Sequence, residues 1–324
     1  MFAKLAKDNE SITLLIRSDA EKMGFLFCKN VIIKTVDYKR FIKNRRYRKE
    51  LFHDLYTSHF RLLVSSDFLR HPKRDELLIQ ACKADTTLAM ESRPWTKYNR
   101  PLRKNRSLYD QLFESGPPIL DKILRWSKFA NWLTNGSTQP PQIRIPTKIL
   151  PAVADLKRPT ILFIPFSAVK EKQLPASLYE AIADLISNQY DIIISCGPGD
   201  LKNNPDFMCL LNRPNVTLNE SSFYDLIPII RGAKLVVSVD TAGMHLSVGV
   251  GTQTLCLASA AYVGEIVPYD PSITPTNANF IYISMECQSC LGSCIHPIEN
   301  GMFLCISRIA QGNVLTKVSE LLGI

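Results

Sequence analysis

The chain has 324 residues, 46% apolar and 21% charged, an ordinary globular composition that excludes disordered, collagen-like and low-complexity classes. Its length predicts two domains, each with its own core. Residues 1–150 hold 29 Lys and Arg against 15 Asp and Glu, and residues 151–324 hold 10 against 15, so charges of +14 and −5 make up the total of +9; that split excludes a uniformly basic nucleic-acid coat and predicts two domains with different partners.

The start, MFAKLAKDNESITLLIRSDAEK, carries charge throughout and lacks an apolar core of signal-peptide length. Next come two strands, ITLLIR (12–17) and NVIIKTVD (30–37), a basic helix (38–56), the strand RLLVSS (61–66) and a helix reaching residue 84. Residues 91–106, rich in Arg, Lys, Pro and Trp, read as an irregular loop, and residues 108–133 as helical text. A linker dense in Pro, Ser and Gly covers 135–159, and the domain boundary is placed between 149 and 150. The second half then alternates: strand 160–166, helix 174–188, strand 191–197, helix 222–233, strand 235–240, short helix 241–251, strand 252–259. Continuous apolar strands separated by amphipathic helices predict a parallel sheet covered on both faces, with ligands at the carboxyl ends of its strands. The longest run free of charged residues, 241–264, is broken by Gly, Ser, Thr, Gln and His245, so no transmembrane helix is expected; nine cysteines without a signal peptide fit a reducing compartment, so a cytoplasmic location is expected.

Three strand ends carry groups suited to a nucleotide sugar. In LVVSVDTAGMHLSVGVG, a buried strand ends at Asp240 and a helix opens with Thr241, Ala242 and Gly243. Its free amides and dipole favour phosphate, and His245 lies one turn in. The competing reading makes Asp240 a helix cap and packs His245 against the sheet. After the strand 160–166, Ser167 stands at the tip, with Lys170 and Lys172 in the following loop as point charges for a diphosphate; plain solvated lysines are the alternative. After 191–197 come Gly199, which allows close approach, and Asp200, a carboxylate able to accept from ribose hydroxyls, or simply a turn. Consecutive carboxyl ends would line one crevice.

The segment LVVSVDTAGMHLSVGVGTQTLCL resembles the donor-site signature of glycosyltransferase family 9, the ADP-heptose transferases of lipopolysaccharide core assembly, with Asp240, Thr241, Gly243, His245, Gly251 and Thr252 on it. SAVKEKQLP is similar to the family's K-x-W-P segment, placing Lys172 on its lysine and Ser167 on a phosphate-facing hydroxyl. CGPGD resembles its G-G-x-x-E loop, with Asp200 on the ribose-holding carboxylate. The resemblance is good over 158–324 and diffuse over 1–150. It implies a GT-B fold of two Rossmann-like domains facing a cleft, an acceptor-side domain over 1–149 and a donor domain over 150–324. It also implies an inverting, metal-independent transfer of a heptose-type sugar from an ADP-sugar to a lipopolysaccharide or lipid-linked acceptor. The chain departs from the pattern at Ala242 (usually Gly), Gln253 (usually Pro) and Leu174 (usually Trp). The family also opens with a strand and a Gly-Asp loop carrying the general base. Here the text begins near the end of the first helix, so an incomplete N-terminal domain is expected. The catalytic residue is therefore unknown; Asp67, which also reads as a helix cap, is the leftover candidate.

Arg45, Arg46, Arg48, Lys49, Arg70, Lys73, Arg74, Arg100, Arg103, Lys104 and Arg106 make the first half cationic. This suits an anionic acceptor and peripheral association with the inner membrane, or a solvated face; nucleic acid is not expected. Cys287, Cys290, Cys294 and Cys305, spaced C-x2-C-x3-C-x10-C, can close a structural zinc site, with His296 as an alternative ligand; an iron–sulfur cluster, disulfides and free thiols are the other readings. The functional alternative is a catalytically silent nucleotide-sugar-binding or scaffold protein with a metal-stapled tail.

Overall fold

The structure, a computed structural model, describes residues 2–94, 96–136, 139–186 and 189–324. Trp95 of the expected loop, Ser137 and Thr138 of the linker, and Ser187 and Asn188 of the expected helix 174–188 lie outside the described residues. Two compact units result, Met1–Pro141 and Gln142–Ile324, so residues 142–149 of the linker fall in the second unit. Among the described residues no helix is long and apolar enough to cross a membrane.

In the first unit, β1 (Ile12–Arg17) pairs in parallel with β2 (Val31–Val36). The expected basic helix is two: α1 (Tyr38–Lys43) and α2 (Arg45–Thr57). Asn44 breaks it, taking extended angles while its side chain accepts the Tyr47 amide, so it closes one helix and caps the next. Then follow β3 (Leu62–Ser65), α3 (Asp75–Cys82), β4 (Thr86–Met90), α4 (Asn99–Lys104), β5 (Gln111–Phe113) and α5 (Lys122–Thr134). Strands β3, β4 and β5 form a second parallel sheet. Two expectations fail here. Residues 99–104 of the expected loop are helical, and Gln111–Phe113 is a strand, not a helix, because it pairs with Leu88–Met90 while Phe113 packs on Phe129 and Trp132. Tertiary pairing outweighs local pattern there.

In the second unit, β6 (Thr160–Ile164), α6 (Ala176–Ile186), β7 (Asp191–Ser195), α7 (Asp200–Asn203), α8 (Met208–Leu211), β8 (Val216–Asn219), α9 (Phe223–Gly232), β9 (Leu235–Val239), α10 (Ala242–Val250), β10 (Thr254–Leu257), β11 (Ala278–Ile281), α11 (Leu304–Ser307) and α12 (Gln311–Leu322) follow in order. The sheet is parallel throughout in the order β11-β10-β9-β6-β7-β8, with β8 and β11 as edges that the sequence reading did not find. Every residue of β6 and β9 is buried, as central strands covered on both faces must be. The chain winds outward from β6 through β7 and β8, then crosses back to β9 and winds the other way. The order therefore reverses between β6 and β9, the crevice where ligands of such sheets bind.

Candidate functional site

Lys172, Asp240, Thr241, Ala242, Gly243 and His245 all come from the segments leaving β6 and β9 at that reversal point. Lys172 Nζ donates to Asp240 Oδ2 at 2.7 Å, and both residues are buried at 8% exposure. The ammonium also lies 4.1 Å from the centre of the Tyr262 ring, a second favourable partner for a desolvated cation. The competing reading of Asp240 as the cap of α10 fails: Thr241 is the N-cap residue, without a side-chain capping bond, and the Asp240 carboxylate faces the lysine. The amides that open α10 thus have no capping side chain, which leaves the positive end of its dipole available to an anion.

His245 is half-exposed. Its Nδ1 is 2.6 Å from the Tyr269 hydroxyl and its Nε2 3.9 Å from Asp240 Oδ1. Tyr269 fixes which way the ring presents Nε2. Gly243 has a packing role: a Cβ there would stand 3.0 Å from Ile164 Cδ1, so its absence lets the helix settle on β6. Ala242, by contrast, is exposed at the helix mouth. Gly251, at φ +93°, ends α10, and Thr252 is buried with its hydroxyl on the Ile230 carbonyl; both signature positions are structural. Leu174 is buried in the core, not turned to a sugar.

The other loops are more self-contained. Ser167 Oγ accepts the Val169 amide, and its carbonyl accepts Gln173 Nε2. Lys170 reaches the Asn204 side chain beyond β7, tying two carboxyl-end loops together. Asp200 Oδ2 accepts the Gly197 amide at 2.6 Å, so one carboxylate oxygen shapes the turn; Gly199, at φ +84°, takes the left-handed conformation that turn requires. Tyr262, Tyr269 and Gln173 are the residues that sequence reasoning missed. Tyr262 and Tyr269 follow β10, the next carboxyl end in the sheet, and an aromatic residue just past a strand end was the available signal.

In the first unit, Asp67 is exposed beyond β3, and its Oδ1 accepts the Leu69 amide at 2.8 Å, a turn-capping bond. The protein around it raises its carboxyl above the usual range by desolvation, against the lowering pull of that amide. Arg70 does not belong to the cationic face. It is 2% exposed, 3.6 Å from the buried Glu76 carboxylate and 4.8 Å from the Tyr109 ring centre. Arg45, Arg46, Lys49, Lys73, Arg100, Arg103, Lys104 and Arg106 are exposed, while Arg48 and Arg74 are half-buried on aromatic rings.

The tail cysteines are free. Ser289 and Leu291, both left-handed, donate their amides to the carbonyls of Ala260 and Ala261 and pin the turn between Cys287 and Cys294 beside β10. The Cys287 thiol is pushed up to about 11 by burial and by the thiols of Cys294, Cys290 and Cys305. The four sulfurs share one neighbourhood, yet among the described residues no group of three or more His, Cys, Asp or Glu side chains is placed to hold a metal.

Solved structures of similar shape include three glycosyltransferases. Glycosyl transferase family 9 from Veillonella parvula aligns at TM-score 0.65 and 17% identity, over 96% of this chain and 88% of its own. E. coli ADP-heptose lipopolysaccharide heptosyltransferase II gives 0.66, 14%, 98% and 90%, and E. coli heptosyltransferase WaaC with ADP gives 0.67, 16%, 98% and 92%. No curated protein sequence matches the chain. The fold is thus GT-B, the fold of those enzymes. The sequence profile of glycosyltransferase family 9 (heptosyltransferase) matches residues 131–292, half of the chain and all of the β6–β9 crevice, and the chain belongs to that family of glycosyltransferases.

Proposed function

We propose that the chain transfers a heptose-type sugar, with inversion, from an ADP-sugar to a lipopolysaccharide or lipid-linked acceptor. The observation that carries this reading is the buried Lys172–Asp240 pair beside the uncapped start of α10, at the reversal point of the sheet. The diphosphate leaves as the acceptor oxygen bonds to the anomeric carbon, and its growing charge is met by the α10 amides, the Thr241 hydroxyl and the lysine. Asp240 holds the buried ammonium in place, and Tyr269 orients His245 toward the same mouth. Asp200, with its second carboxylate oxygen, takes the ribose hydroxyls. Two solved neighbours, WaaC with ADP and WaaC with ADP-2-deoxy-2-fluoro heptose, support an ADP-sugar over other donors.

Asp67 is the proposed acceptor of the hydroxyl proton, since a carboxyl held above its usual range is a better base near neutral pH. The exposed arginines and lysines of the first unit suit phosphate groups on the acceptor and attraction to an anionic membrane surface. For the tail we propose a structural zinc, supported by the shared neighbourhood of Cys287, Cys290, Cys294 and Cys305; loading requires rotation of the thiols into a tetrahedral set, and metal analysis of purified protein tests it.

Calorimetric titration tests the donor site. ADP and ADP-heptose are expected to bind and UDP-sugars to bind weakly, with Lys172→Ala and His245→Ala each losing about tenfold or more in affinity. Equal binding by wild type and both variants would count against this site.

A further inference from the structure

The buried Lys172 ammonium has two partners of different kinds. Asp240 Oδ2 accepts one of its protons at 2.7 Å, and the centre of the Tyr262 ring lies 4.1 Å away. A lysine ends in an ammonium with three donors on a flexible stem, so one carboxylate leaves it free to swing. An aromatic face attracts the cation through its quadrupole without taking a hydrogen bond to a lone pair. Such a partner fixes the nitrogen and leaves a proton for a ligand oxygen.

Tyr262 ends a short 3-10 turn, Ala260–Tyr262, just past β10, and the cysteine loop holds that turn. The Ser289 amide donates to the Ala260 carbonyl at 3.0 Å and the Leu291 amide to the Ala261 carbonyl at 2.8 Å. The Ser289 hydroxyl donates to the Val263 carbonyl at 2.7 Å. From the turn itself, the Ala260 amide donates to the buried Cys305 sulfur at 3.4 Å. Gly292 passes the rim of the ring, where a Cβ would stand 3.7 Å from the Tyr262 hydroxyl. The same stretch of chain also reaches the lysine's own segment, because the Phe303 amide donates to the Glu171 carbonyl at 2.9 Å. Residues 289–305 thus tie down both the turn that carries the ring and the residue before Lys172.

We propose that Tyr262 is a positioning residue for the donor diphosphate, acting through Lys172, and that the cysteine loop is its mount. The ring steadies the ammonium beside the start of α10. The loop sets the spacing of ring and lysine by bonding to the backbone on both sides. The cysteine-rich tail thereby gains a role in donor binding that needs no reactive thiol. This inference rests on the donor-site reading of Lys172 and goes beyond it in naming what aims the lysine.

Titration of the full chain with ADP tests it, with Tyr262→Phe, Tyr262→Leu, and phenylalanines bearing one, two or three fluorines at position 262. Fluorine drains charge from the ring face at nearly constant shape, so a packing role alone would not respond. Tyr262→Phe should bind ADP as the wild type does. Affinity should then fall stepwise with fluorine, toward a loss of about tenfold in Tyr262→Leu. In a Lys172→Met background the same series should be flat. Ser289 is left-handed, at φ +66°, a conformation closed to proline. Ser289→Pro should therefore lose about as much ADP affinity as Tyr262→Leu and add nothing to it, and the milder Ser289→Ala about twofold. Four outcomes would overturn the proposal: affinity independent of fluorine, a Tyr262→Phe loss as large as that of Tyr262→Leu, an equal slope without the lysine, or Ser289 variants that bind ADP as the wild type does. Wild-type ADP binding by Lys172→Ala would remove the donor-site reading as well, whereas a flat fluorine series with Lys172→Ala still deficient would remove this one alone.

Discussion

The parallel sheets of the two units use similar residues and reach different states. Leu162 in β6 and Leu63 in β3 both lie within apolar strands, yet Leu162 is fully buried and Leu63 half-buried. The second unit has six strands in one unbroken ladder, whereas the first divides into two and three. Hydrophobicity brings strands to the interior; continuity of hydrogen bonding between neighbours decides whether they are sealed from water.

The largest effect is expected where burial is deepest. Removing either partner of the Lys172–Asp240 pair leaves a buried charge alone, so Lys172→Met or Asp240→Leu should each cost about 3–5 kcal/mol in chemical denaturation. The double variant should recover most of that stability while donor binding stays lost. Comparable stability of single and double variants would show that water reaches the pair at the ends of β6 and β9.

A smaller effect separates β6 from β3 directly. Leu162→Ala should cost about 2–5 kcal/mol, and Leu63→Ala only about 1 kcal/mol, because less apolar surface is withdrawn from water there. Equal losses would mean that β3 is as sealed from water as β6.

The smallest effect is on pH dependence. The Arg61 side chain, helped by the Lys7 amide, holds the Glu10 carboxyl down at about 2. A depressed carboxyl adds stability above its unfolded value, near 4.5, and loses it as pH falls toward 2. Glu10→Gln should flatten that part of the acid-unfolding profile and leave the neutral range little changed. An unaltered profile would show that the Arg61–Glu10 pair adds no stability to the fold.

Much of the donor half was legible in the sequence because its signals are local. Apolar runs of strand length, Gly199 in a turn, and the step from Asp240 into a helix follow from residues next to one another. Legibility failed where an element exists only through its neighbours. Gln111–Phe113 reads as helix and is a strand because β4 and the Phe129–Trp132 pair receive it. Arg70 reads as a surface cation and is buried because Glu76, the Met90 carbonyl and Tyr109 surround it. Tyr262 and Tyr269 gain their roles only when β10 is placed beside β9.

The sequence by itself determined the alternation of strands and helices, the family signature and the opposite charge of the two halves, since each is a matter of residue type and spacing. The tertiary structure alone decided that Asp240 answers Lys172, sixty-eight positions away, that Gly243 serves packing on Ile164, and that β1 and β3 stand apart. Pairing over such distances depends on strand order, and strand order is fixed by which edges find partners.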